Sequence, residues 1–157
     1  MKKKRVMIIS LLLLLVSVIG ISSYFLFKDK INLLDVDHSA VDWNGKKQKD
    51  TSGEENTIAI PGFEKVTLYA NETTQAVNFH NPEINDCYFK ISLIHPDGSV
   101  LWISDLIEPG KGMYSIELEK TLAVGEYENA VLKYECFSLN DQSPLNGSEI
   151  NLKLVVV

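Results

Sequence analysis

Hydrophobic and polar positions fall into three regimes along this chain, and each regime predicts a different kind of element. Val6 to Phe27 is a run of 22 positions without a charge. As a helix rising about 1.5 Å per residue it spans roughly 33 Å, enough to cross a hydrocarbon core of about 30 Å. Residues 28–56 are mostly polar, and the stretch from Gly45 to Asn56 has almost nothing apolar to bury against its ordering entropy. This regime reads as a stalk. Two of its upstream pieces, Ile31–Val36 and Val41–Trp43, retain apolar residues that could dock on a folded domain or lie at a membrane surface.

From Thr57 onward the pattern becomes short apolar alternations. Cys87, Phe89, Ile91 and Leu93 alternate with Tyr88, Lys90 and Ser92. Ala130, Leu132, Tyr134 and Cys136 repeat the pattern, as do Ile150, Leu152, Leu154 and Val156, and Tyr114, Ile116 and Leu118. A period of two marks half-buried strands. Shorter strands are predicted at Ile58–Ile60, Val66–Tyr69, Gln75–His80 and Ser99–Ile103. His95-Pro96-Asp97-Gly98, Glu108-Pro109-Gly110, Asn81-Pro82 and Asn146-Gly147 supply turn residues between them. The fold class predicted is all-β: an immunoglobulin-like or fibronectin type III-like sandwich of seven or eight strands, with a barrel as the alternative, after one N-terminal transmembrane helix. The predicted organisation is a basic tail at 1–5, a transmembrane signal anchor at 6–27, a polar stalk at 28–56 and an extracellular β-sandwich at 57–157.

Charge orients this arrangement. Residues 1–30 carry six Lys or Arg against one Asp, whereas residues 31–157 carry nine Lys against twenty Asp or Glu. Four of the basic residues precede the apolar run. The positive-inside rule therefore keeps the N-terminus in the cytoplasm and places the acidic bulk outside. The run exceeds the 7–15 residues usual for a cleaved signal core, which favours a retained anchor; cleavage after Val18-Ile19-Gly20 would instead release a secreted domain. An acidic exported part has no basic stripe with which to hold phosphates, so nucleic acid is excluded as a partner class.

The phrases Ile60-Pro61-Gly62-Phe63, Asn81-Pro82-Glu83-Ile84-Asn85-Asp86-Cys87, Leu106-Ile107-Glu108-Pro109-Gly110 and Leu145-Asn146-Gly147, with the Lys-rich start, resemble small uncharacterised membrane-anchored exoproteins of Gram-positive bacteria. That resemblance implies location and fold rather than chemistry. Leu122–Tyr127 also resembles the loop before the sixth strand of immunoglobulin-like domains, where a tyrosine bonds back to the backbone. Tyr127 lies on the parity opposite to Ala130 and Leu132, so a bulge is required to bring it inward.

Catalytic chemistry has little to work with. His38, His80 and His95 are the only histidines, none in a metal-binding spacing, and no nucleophile motif, phosphate loop or dinucleotide fingerprint occurs. No catalytic residue, metal or cofactor is assigned. The acidic clusters Asp35–His38 and Asn81–Asp86 could offer oxygen ligands, but Asn and Asp are already expected there for turn geometry and solvation. Trp102 and Tyr88 are the candidates for an exposed binding surface, although for Trp102 core packing is the favoured role. Cys87 and Cys136 are the only cysteines. They fall on predicted third and sixth strands, antiparallel neighbours with both residues on one face, so a disulfide is expected outside a membrane, with two buried free thiols as the alternative. Closing a loop of about 50 residues would contribute on the order of 4 kcal/mol. The expectation is a non-enzymatic interaction or surface-assembly module, held in the bilayer by its N-terminal helix and facing a protein partner. A carbohydrate or cell-wall binding module is the alternative.

Overall fold

Alternating burial along strands requires two layers, and two are present. The structure, a computed structural model, describes residues 33–45 and 57–157. The basic tail, the expected membrane helix at 6–27 and the polar run 46–56 lie outside the described residues. The described part is all-β, without a helix. Its strands are β1 (Val41–Asp42), β2 (Lys65–Leu68), β3 (Thr74–His80), β4 (Cys87–Ile94), β5 (Val100–Ile103), β6 (Lys111–Glu117), β7 (Gly125–Ser138) and β8 (Pro144–Val156). One sheet has the order β1-β6-β3 and the other β2-β8-β7-β4-β5. All pairings are antiparallel except β2 on β8, which is parallel.

The core lies between the sheets. Phe89, Ile91 and Leu93 of β4, Leu132 and Tyr134 of β7, and Leu152 and Leu154 of β8 point inward, against Phe79, Met113 and Ile116 of the smaller sheet. The alternation read from sequence is therefore the burial pattern of the larger sheet. The last strand is covered on both sides over Lys153–Val156, by β7 and β2.

Turn chemistry is realised at most of the expected places. At His95–Ser99 the Gly98 N–H donates to the His95 carbonyl at 2.8 Å, with Gly98 at φ +86°. At Glu108–Lys111 proline and glycine occupy the central positions, Gly110 at φ +76°, as a type II turn demands. Asn146-Gly147 departs from expectation. It lies inside β8, and the β7–β8 connection is instead Leu139–Ser143. Gly147 sits at a bulge pressed so closely on β7 that a Cβ would overlap the Tyr134 carbonyl oxygen. Glycine there serves close approach rather than a turn.

A bulge also lies in β7, between Tyr127 and Ala130, with Asn129 at φ +62°. It turns Tyr127 against the core, and the Tyr127 hydroxyl donates to the Ala123 carbonyl at 3.0 Å. The expected strand at Ile58–Ile60 is absent. This segment is extended coil whose backbone bonds go to a side chain: the Ala59 N–H donates to Asn85 Oδ1 at 2.8 Å, and Asn85 Nδ2 donates back to the Ala59 carbonyl at 3.0 Å.

The domain also reaches further upstream than 57. Residues 34–45 form a strap along it, so the apolar pieces at 34–36 and 41–43 dock. Gln142 exchanges two hydrogen bonds with the Leu34 backbone, at 2.6 and 3.0 Å. Asp35 and Asp37 pair with Leu106 through their main chains. β1 then pairs with the start of β6.

A candidate binding cleft beside a rigid loop

Three segments meet at one end of the sandwich: the strap end Asp42–Gly45, the β3–β4 loop and the Glu108–Gly110 turn. Between them lies a cleft of about 710 Å³ lined by Asp42, Trp43, Asn44, Gly45, His80, Pro82, Glu83, Ile84, Pro109 and Gly110. Its size is within the usual range for ligand pockets. The lining contributes no hydroxyl or thiol nucleophile.

The loop is held by buried amides. Asn81 Nδ2 donates to the carbonyls of Cys87 and Ile107, at 2.8 and 2.9 Å. Asn85 Nδ2 donates to Asn81 Oδ1 at 2.8 Å as well as to Ala59. The Asn81 backbone pairs with Lys111 and Gly110. Each bond is desolvated, so breaking one strands a polar partner in the interior. Asn81 and Asn85 thus knit the loop to β4, to the Glu108–Gly110 turn and to the 57–64 segment, which leaves neither amide available as a metal ligand. Asp37, in the other acidic cluster, spends its carboxylate on the Ser39 and Asp105 amides, at 2.9 and 3.3 Å. Among the described residues no three His, Cys, Asp or Glu side chains group closely enough to hold a metal.

On this fixed base Ile84 stands 78% exposed. Glu83 is exposed beside it, its stem lying over Gly110, where a Cβ would come 3.7 Å from the Glu83 side chain.

The opposite wall is Trp43. Its indole stacks on the His80 ring with centroids 3.8 Å apart and planes 11° from parallel. Its Nε1–H donates to Asn78 Oδ1 at 2.7 Å and its backbone N–H to the Gly110 carbonyl at 2.8 Å. Two glycines make room: a Cβ at Gly112 would lie 2.6 Å from Trp43 Cδ1, and one at Gly45 would lie 2.8 Å from its Cζ2. Beside it Asp42 accepts a hydrogen bond from Lys111 Nζ at 2.6 Å. That hydrogen bond, and then the lysine charge, hold the Asp42 carboxyl below its ordinary range and raise Lys111 in return. Asn44 is fixed through Tyr114, whose hydroxyl donates to Asn44 Oδ1 and accepts from the Asn44 N–H.

The residues singled out from sequence fall elsewhere. Trp102 is only 7% exposed and packs 5.8 Å from Phe79 in the core, so it belongs to no binding surface. Its place on β5, opposite the inward-pointing Leu93, turns it to the interior. Tyr88 is half-buried on the outer face of the large sheet, opposite Phe137. Cys87 and Cys136 are free thiols on neighbouring strands, each 1% exposed. His95 serves its turn, with Nδ1 3.0 Å from Asp97. Sequence reasoning passed over Ile84, and it gave Trp43 a packing or interface role without placing it in a cleft. The available signal was Trp43 within an otherwise polar stretch, followed closely by Gly45.

No family model matches this chain, nor does any curated protein or solved structure.

Proposed function

We propose that this chain is a non-enzymatic, single-pass membrane protein whose extracellular domain, an immunoglobulin-like sandwich, holds a protein partner at the cell surface. In this reading residues 6–27 cross the bilayer with the basic tail in the cytoplasm, and no cofactor takes part. The immunoglobulin-like assignment draws support from β2 running parallel to β8 and from the Tyr127 bond to Ala123 at the entry to β7. The observation that carries the functional reading is Ile84, an aliphatic side chain left in water on a loop fastened through Asn81 and Asn85. Apolar surface held rigid before binding loses little freedom on association, which suits recognition of another protein. A sugar platform is less well served, because the Trp43 ring is already covered by His80 and crowded by Gly45.

The test is site-specific photocrosslinking in cells expressing the full chain, with a benzophenone amino acid at Ile84 and, as control, at Glu119. The expected result is one discrete protein adduct from position 84 and none from 119. Equal adducts from both, or adducts carrying only glycan, would overturn the reading. A reporter fused after Val157 should be active outside the cytoplasm alone; activity inside would overturn the topology.

A further inference from the structure

We propose that Cys87 and Cys136 are a modification site: an oxidant of the disulfide class converts them into a bridge joining β4 to β7 within the larger sheet. Cys87 is the first residue of β4 and lies opposite Ser138, whereas Cys136 lies opposite Phe89. The two cysteines are therefore diagonal neighbours across one antiparallel ladder, on the face that carries Phe89, Ile91, Leu132 and Tyr134. Both thiols are buried on that face, each 1% exposed. The chain has no third cysteine to compete.

The chemistry balances without a metal or cofactor. The Cys87 thiolate attacks one sulfur of the oxidant's disulfide, forming a mixed disulfide and expelling one thiolate. Cys136 then gives up its proton and attacks the Cys87 sulfur, expelling the second. Two thiols lose two electrons and two protons, and the oxidant leaves as two thiols. Because both sulfurs are buried in the finished fold, the first attack belongs to the folding chain or to an opening of the sheet end, and closure then seals the bond inside the core.

The geometry sets the character of the bridge. Diagonal pairs in an antiparallel ladder lie about 7–8 Å apart at Cα, just beyond the relaxed disulfide limit of about 6.8 Å. The strand ends must draw together to close it. Cys87 heads its strand, but its carbonyl is pinned by Asn81, so the movement falls on the β7 end next to the Leu139–Ser143 connection. A bridge closed against that resistance is more reducible than a relaxed one.

The experiment uses the full chain purified in detergent, unfolded in urea, and refolded with either reduced dithiothreitol or glutathione disulfide. Each sample is then denatured, alkylated and weighed intact. The expected result is two alkylated cysteines per chain after the reducing refold. After the oxidising refold, none should be alkylated, and the mass should fall by two hydrogens without added glutathione. Two alkylatable thiols, stable glutathione adducts on either cysteine, or disulfide-linked dimers as the main oxidised product would each overturn the proposal. A Cys87→Ser variant in the same oxidising refold should retain one glutathione on Cys136, which separates intramolecular closure from failure of the oxidant to reach the site.

Discussion

Across β4, β7 and β8 nearly every inward residue is an aliphatic or aromatic group, and the backbone is satisfied by the neighbouring strand. At the end where residues 34–45, 57–64 and 81–86 meet, strands are short or absent and amide side chains take the place of a ladder. Asn85 pairs with Ala59 as a strand would, and Gln142 does the same for Leu34. Gln75 joins the Tyr69 and Glu72 main chains across a third corner, at 2.7 to 2.8 Å. The large sheet draws its stability from apolar area, which is spread over many contacts. The cleft end draws its shape from a few directional bonds, each of which matters locally. One region supplies a folded body, the other a surface with fixed contours, and they should fail in different ways.

The comparison is broken most severely inside the sheet. Phe89→Ala removes a fully buried ring packed 5.3 Å from Tyr134 and should cost about 3–5 kcal/mol, read as a lowered urea midpoint with the cooperativity of unfolding retained. Asn81→Ala should cost less, about 1–3 kcal/mol, because it strands two buried carbonyls while removing little volume. Asn81→Asp, which cannot donate to those carbonyls, should recover none of that loss. Recovery by Asp would show that shape rather than hydrogen bonding holds the corner.

Trp43→Ala should lower global stability by only about 1 kcal/mol, since the strap can open without the sandwich unfolding. Its sharper readout is hydrogen exchange. The amides of Asp37 and Trp43, bonded to Leu106 and Gly110, should lose protection while those of β7 keep theirs. Equal loss in both regions would mean that the strap and the sheet are one cooperative unit.

Acid should have the smallest effect. Asp97 is held below its ordinary range chiefly by hydrogen bonds from Ser99 and then by His95; Asp141 is lowered by Ser143, Glu117 by Thr73 and Thr74, and Glu126 by Lys153. Folded values below unfolded ones give stability that is present at neutral pH and lost as pH falls through the folded values, hence below about pH 4. All four carboxylates are exposed, so the loss should be shallow. A steep collapse above that pH would point to a buried group instead.

What the sequence disclosed follows the same division. Period-two alternation exposed β4, β6, β7 and β8, and proline–glycine pairs exposed the turns at 95–99 and 108–111, because these features are local and repeat. Even the β7 bulge was anticipated, from the parity of Tyr127 against Ala130. The cleft was hidden for a physical reason. Asn81 and Asn85 look like any loop asparagines until their partners, Cys87, Ile107 and Ala59, are brought beside them by folding. The stretch around Trp43 has the composition of a linker, and its docking depends on space left by Gly112, nearly seventy positions away. Trp102 lies in the core, the role favoured for it, although a strand apolar on both parities does not by itself announce which face is inside.

The strap has one further consequence, in the language of force. A pull applied at residue 34 loads the Leu34–Gln142 pair first, then the Leu106 bonds, and only then Trp43, one fastening at a time. Contacts arranged in series rupture singly and at low load, whereas the ladders of the large sheet share theirs. Full release of residues 34–44 would pay out a leash of at most roughly 37 Å at about 3.4 Å per extended residue, before any tension reached the hydrophobic core. The first casualty would be the Trp43 wall of the cleft, so a pull from the N-terminal side would open the cleft before it unfolded the sandwich.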